Sequence, residues 1–255
     1  MNDLENYFKR NDKRRIFKWM HYFDIYDRHF SRFRNKEIVI LEIGVAQGGS
    51  LQMWRNYFGD EAKIFGVDIN PRCKELEEEN IQIFIGSQSD RNFLKELKKQ
   101  IPPVDILIDD GGHTMRQQIV TYEELFDVVK ENGVYLCEDL HTSYWARYGG
   151  GHKRSGTFIE YSKNFIDYLN AYHSEQRSLP INNFTKSVDS IHYYDSIIVI
   201  EKRKREKPYH EKTGKISFQN EETNSTKVKN KIKNVLLLRI DRFLRCFRIK
   251  SIIRS

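Results

Sequence analysis

Apolar positions along the chain change their spacing near residue 38. Between residues 12 and 33, Ile16, Trp19, Met20, Phe23, Tyr26, Phe30 and Phe33 recur every three or four places. That spacing predicts one long amphipathic helix carrying an aromatic stripe, which most simply packs on a sheet. From Ile38 onward, short β-rich runs at 38–44, 63–69, 81–86, 104–110 and 133–139 alternate with helical stretches. The helices are expected to start near Ser50, after Pro71, near Asp90 and near Thr114, with another around 156–172. Alternation of this kind predicts βαβ units and a doubly wound, mostly parallel sheet, an α/β fold. The ending differs: 187–202 holds two β-rich runs joined at Tyr194-Asp195-Ser196, which predicts an antiparallel hairpin on the sheet edge.

After Lys202 the composition turns polar, and at 231 apolar residues return among cations. Four parts follow: a helical segment 1–35, a catalytic-sized domain 36–202, a polar linker 203–230 and a basic amphipathic helix 231–255. Ile232, Leu236, Ile240, Phe243 and Phe247 form the apolar stripe of that helix, with Arg242, Arg245 and Arg248 mainly opposite. The charge divides the same way. The chain of 255 residues is +7 overall, but 201–255 hold 17 basic and 6 acidic residues, against 26 and 30 in 1–200. The globular part is therefore mildly acidic, and the basic balance speaks for the tail alone. A cationic amphipathic helix suits an anionic membrane surface or a partner subunit, so 231–254 is a candidate for peripheral membrane contact. Three widely spaced cysteines without a CxxC argue against a disulfide framework and a structural zinc site. With no apolar run of about 20 residues and no apolar signal region at the start, the expected place is the cytoplasm, on the inner face of the membrane if the tail engages it.

The candidate chemistry lies at the strand ends. Leu41-Glu42-Ile43-Gly44-Val45-Ala46-Gln47-Gly48-Gly49-Ser50 closes the first strand and opens a helix, so Gly44, Gly48 and Ser50 would cradle a ligand at the carboxyl edge of the sheet. Its spacing is GxxxGG, not the GxGxxG of a pyrophosphate cradle. Glu42 would repel phosphate and suits an amine-bearing ligand, while Asp68 could hold ribose hydroxyls at the end of the second strand. Ser87 and Gln88 follow the third strand, where an adenine edge would lie. Asp109-Asp110-Gly111-Gly112-His113 follows the fourth strand and Glu138-Asp139-Leu140-His141 the fifth. Carboxylates at neighbouring tips repel one another unless a cation sits between them, and an all-oxygen set suits Mg²⁺ (or Mn²⁺) before zinc. The bland alternative is that one or two of them cap the following helices. His113 is the favoured general base and His141 its rival. Tyr144 to Gly156, with three consecutive glycines, reads as a flap over an acceptor, with Tyr144 and Trp145 as a stacking surface.

LEIGVAQGGS, GVDINP, FIGSQSD, DILIDDGGH and CEDLHTSYW together resemble the metal-dependent sugar O-methyltransferases of the macrolide-tailoring and rhamnosyl type, a group also similar to proteins labelled cephalosporin hydroxylases. The resemblance covers roughly residues 15–200. It implies a Rossmann-like class I methyltransferase fold, S-adenosylmethionine as methyl donor and Mg²⁺ as metal. It assigns the metal ligands to Asp110, Glu138 and Asp139, the base to His113, and the cofactor contacts to Glu42, Asp68, Ser87, Gln88 and Asp109. It also implies an acceptor with free sugar hydroxyls, a small glycosylated molecule or a glycan, and a homo-oligomer. The auxiliary amino-terminal domain of the macrolide enzymes has no counterpart here beyond the aromatic segment. Other classes fit less well. No Asn/Asp-Pro-Pro-Tyr/Phe motif follows the fourth strand and no Pro-Cys pair stands there, which speaks against nucleic acid as the partner. An oxidoreductase lacks its GxGxxG. A non-catalytic S-adenosylmethionine-binding scaffold attached to glycan biosynthesis would leave the metal and base residues idle.

Overall fold

Isoleucine, valine and leucine crowd the runs that become strands, because β-branched and aliphatic side chains fit a pleated surface buried on both faces. The computed structural model describes residues 1–218 together with Leu236, Ile240 and Phe243. Two units are distinguished, Met1–Pro208 and Tyr209–Ser255. In the first, α1 (Asp3–Arg10) and α2 (Tyr22–Phe30) precede β1 (Val39–Ile43), α3 (Gly49–Phe58), β2 (Lys63–Asp68), β3 (Ile81–Ile85), α4 (Arg91–Gln100), β4 (Val104–Asp109), α5 (Met115–Leu125) and β5 (Val129–Cys137). Then come α6 (Phe158–Ser162), α7 (Asn164–Asn170), α8 (Asn183–Ser187), β6 (Val188–Tyr194) and β7 (Ile197–Lys202). The seven strands lie in the order β3-β2-β1-β4-β5-β7-β6. Strands β1 to β5 pair in parallel, and the β6–β7 hairpin adds antiparallel to β5, with Leu136 opposite Val199.

Side-chain alternation sorts β1 onto two cores. Ile40 joins Ile64, Ile106, Leu136 and Val199 beneath Tyr26, Phe30 and Trp54 of α2 and α3. Val39, Leu41 and Ile43 join Leu107, Tyr135 and Ile198 beneath Leu94 of α4 and Tyr122 of α5. Helix starts are fixed locally. Asp90 accepts from the backbone of Asn92 and Phe93, and Thr114 forms a reciprocal capping box with Gln117.

Three stretches depart from the periodic reading. The helix expected over 12–33 exists only as α2 and a short 3₁₀ turn (Ser31–Phe33), and residues 11–21 carry no helix or strand. Asn11 begins the break: its Oδ1 accepts from Lys13 N at 3.1 Å and its Nδ2 donates to the Arg14 carbonyl at 2.8 Å. Such side-chain bonds compete with helical ones. The stripe splits accordingly, with Phe23, Tyr26 and Phe30 buried but Phe17, Trp19 and Met20 exposed. After Pro71 a 3₁₀ turn, Pro71–Leu76, replaces the expected helix, and 156–172 divides between α6 and α7.

In the second unit, Leu236, Ile240 and Phe243 are helical and exposed. The remainder of the expected tail helix, including Ile232, Phe247 and its arginines, lies outside the described residues, as does 219–230 of the linker. Residues 203–218 contain no helix or strand. Among the described residues no helix is long and apolar enough to cross a membrane.

Candidate active site at the carboxyl ends of the strands

The turn after β1 passes so close to the end of β4 that only glycine fits. Gly44 has φ +97°, and a Cβ there would stand 2.1 Å from the Asp110 carbonyl oxygen. Asp68 braces this turn: its Oδ2 accepts from Val45 N and Ala46 N, both at 2.9 Å, and its Oδ1 from Asn70 N at 2.8 Å. Gly48, at φ 73°, starts α3. Ser50 donates to Glu42 Oε2 at 3.0 Å, and burial pushes the Glu42 carboxyl up to about 7 against the pull of Lys18. Gln88 is buried and its amide is used internally, donating to Asp109 Oδ1 and Thr121 Oγ1 and accepting from Gly112 N. Burial likewise raises Asp109 to about 7, opposed by the bond from Gln88. Ser87 shares a hydroxyl contact of 3.0 Å with Ser89. A cavity of about 230 Å³ opens between Gly44, Asp68, Ile69, Ser87 and Gly111. Ile69 brings to it an exposed apolar side chain that strand-end motifs had not singled out.

The acidic cluster sits on the other side of Gly44. Glu138 is buried, while Asp110 and Asp139 are partly open. Between Asp110 and Glu138 lies a side chain the sequence had not marked, Lys18, whose ammonium pairs with Asp110 and lies 2.8 Å from both Glu138 oxygens. Burial opposes its charge, but Asp110, Glu138 and Glu42 outweigh that and hold it above the ordinary lysine range. Burial and Asp110 push Glu138 upward, against Lys18 and Tyr26. Two phenols from successive turns of α2 complete the set: Tyr26 donates to Glu138 Oε1 and Tyr22 to Asp139 Oδ1, each at 2.7 Å. His113, in the left-handed region at φ 55°, points Nε2 at Asp139 Oδ2 (3.5 Å) and Asp110 Oδ1 (3.8 Å). His141 is engaged differently. Its Nδ1 meets Ser196 Oγ at 2.5 Å, and its ring lies edge-on to Trp19 and Trp145.

These groups face a second cavity of about 610 Å³, whose lining includes Phe17, Trp19, Asp110, His113, Asp139 and Trp145. The Arg147 guanidinium covers the Trp145 ring at 4.7 Å. Tyr144 belongs to a different hollow, beside Tyr193 and Asp195, so the two aromatics do not form one stacking surface. The glycine loop is tied to itself, Gly150 N donating to Trp145 O and Gly151 N to Ser143 O.

Comparison with known proteins adds a lineage to this geometry. Residues 41–140 match the family model described as a methyltransferase domain. The chain is 33% identical over 187 residues to 8-demethyl-8-alpha-L-rhamnosyl tetracenomycin-C 2'-O-methyltransferase of Streptomyces olivaceus, covering 70% of this chain and 49% of that protein. It is 34% identical over 200 residues to mycinamicin VI 2''-O-methyltransferase of Micromonospora griseorubida, covering 73% and 49%. The chain thus spans about half the length of the curated relatives it matches. Among solved structures, the MycE methyltransferase of the mycinamycin pathway, in complex with Mg, SAH and mycinamycin VI, superposes with a TM-score of 0.71 at 28% identity, covering 90% of this chain and 59% of that one.

Proposed function

With a class I methyltransferase domain as the premise, we propose that the protein moves a methyl group from S-adenosylmethionine to a sugar hydroxyl of a glycosylated molecule or glycan, with Mg²⁺. The observation that carries this is the convergence of Asp110, His113, Glu138 and Asp139 on one cavity beside the Gly44 turn. The donor set fits a hard cation: it is oxygen-rich, and a positive charge, the Lys18 ammonium, already stands among the carboxylates. Asp110, Glu138 and Asp139 would hold the metal, and Gly44, Asp68, Ser87 and Ile69 would line the cofactor. When bound, the cofactor supplies a sulfonium methyl, and the metal lowers the pKa of an alcohol. His113, whose Nε2 lies 3.5 Å from Asp139 Oδ2 and 3.8 Å from Asp110 Oδ1, receives the hydroxyl proton. Trp19, Trp145 and Arg147 exclude water and orient the acceptor. Transfer would break the carbon–sulfur bond of the donor methyl as the carbon–oxygen bond forms, leaving a thioether.

The test incubates purified protein with S-adenosylmethionine, Mg²⁺ and pools of nucleotide sugars, polysaccharides and glycosylated metabolites, with mass detection of added CH₂. Glu138→Gln is expected to abolish transfer while cofactor binding persists. Full transfer in excess chelator would overturn the metal's part, and no transfer to any glycosylated pool would overturn the acceptor class. We also propose that the tail touches anionic membranes, a reading supported by the helical, exposed Leu236, Ile240 and Phe243 and the basic residues among them.

A further inference from the structure

The chemistry just described makes no use of Lys18, yet the chain distorts itself to bury it. Residues 11–21 form a strap anchored by Arg14, whose guanidinium donates to the Leu76 carbonyl at 2.8 Å and pairs with Glu78 at 3.0 Å. The strap presses on the start of α3, where a Cβ on Gly49 would lie 2.4 Å from the Arg15 carbonyl oxygen. Beyond that point the usual partition is inverted. Phe17, Trp19 and Met20 are 83%, 50% and 45% exposed, while the Lys18 side chain is 3% exposed. Three apolar side chains stay in water so that one cation can enter the carboxylate cluster. Apolar burial does not explain that arrangement. The ion pairs with Asp110 and Glu138 do, since unpaired buried carboxylates are strongly unfavourable.

We propose that Lys18 is the protein's own occupant of the cation position, and that a divalent ion taking Asp110, Glu138 and Asp139 expels it into solvent. This rests on the metal-dependent reading above. The carboxylate geometry favours the exchange. Both Glu138 oxygens already lie 2.8 Å from the ammonium, and Mg²⁺ needs its oxygens at about 2.0–2.1 Å, so the ion competes with Lys18 for the same carboxylate. Mg²⁺ matches two of the three carboxylate charges where the ammonium matches one. Lys18 lines the large cavity between two exposed residues. Phe17, Trp19 and Lys18 all line the large cavity, so the strap that yields Lys18 also reshapes the acceptor's entrance. Lys18 is a positioning residue in this scheme. It keeps the empty carboxylates paired and sets how tightly the metal must bind to displace it.

The test reads Lys18 directly in the wild-type full chain. An amine-acylating reagent, followed by mass spectrometry, is applied with and without saturating Mg²⁺, and Mg²⁺ binding is followed by calorimetry. Lys18 is expected to be protected without metal and modified at least about tenfold faster with it, while exposed Lys13 on the same strap is unchanged. Lys18→Met is expected to bind Mg²⁺ at least about tenfold more tightly, about 1.4 kcal/mol. Mg²⁺ binding to the wild type with Lys18 still protected overturns the exchange and leaves the proposed function standing. The metal would then sit on Asp110, His113 and Asp139, whose donor atoms lie within 4.8 Å of one another, and the role of base would pass from His113 to another group. Absence of binding to both proteins overturns the exchange and the metal-dependent reading together, whereas binding to Lys18→Met alone overturns the exchange, because the ion then never displaces Lys18 in the wild type. Should that variant not fold, the wild-type labelling decides.

Discussion

At the scale of single residues, two histidines compete for the proton, and their surroundings separate them. His113 Nε2 faces two carboxylates, whereas His141 Nδ1 is spent on Ser196 and its ring is wedged between tryptophans. His113→Ala is expected to lower the single-turnover rate about 10²–10⁴-fold with cofactor affinity retained. A dead His141→Ala beside an active His113→Ala would reverse the roles. The carboxylates and glycines of the site were legible in the sequence because each directly follows a strand, and strand ends are where such sheets gather ligands. Lys18, Tyr22 and Tyr26 were not. Their partners stand more than a hundred residues away, apart from Asp110 at 92, and three-four periodicity records only that the rings recur. It is blind to hydroxyls and to a cation interrupting the stripe.

At the scale of elements, α2 acts as a two-pronged donor. Tyr22 and Tyr26 are four residues apart, hence on one face, and reach adjacent carboxylates. Tyr26→Phe removes one donor from a carboxylate that water does not reach. It is expected to destabilise the fold by about 1–3 kcal/mol, measured by urea unfolding; an unchanged midpoint would mean that Lys18 alone satisfies Glu138. The hairpin acts on the site from the other side: Leu140 N donates to Ser196 O at 2.9 Å, so the β6–β7 turn sets where His141 stands. The five parallel strands and this hairpin were readable from alternation alone. The helix over 12–33 was not, because the pull of the carboxylates on Lys18 and the turn at Asn11 override a favourable period.

At the scale of the whole chain, charge is segregated: the first 200 residues are net acidic and the tail is strongly basic. Full-length protein is expected to sediment with anionic vesicles at low salt and to be released as salt rises, while a chain ending at Pro208, the close of the first unit, stays in solution. Equal sedimentation of the two would remove the tail from membrane contact.

The burial of Lys18 against Glu138 also sets a clock. The two are separated by 120 residues, and His21 meets Asp195 across 174. A ribosome adding about 5–20 residues per second delivers Glu138 roughly 6–24 s after Lys18 has emerged. Contacts of such long range also form slowly once both partners exist. Throughout that interval Lys18 lacks its Glu138 partner, so protection of residues 11–21 is expected to appear only after Glu138 has emerged.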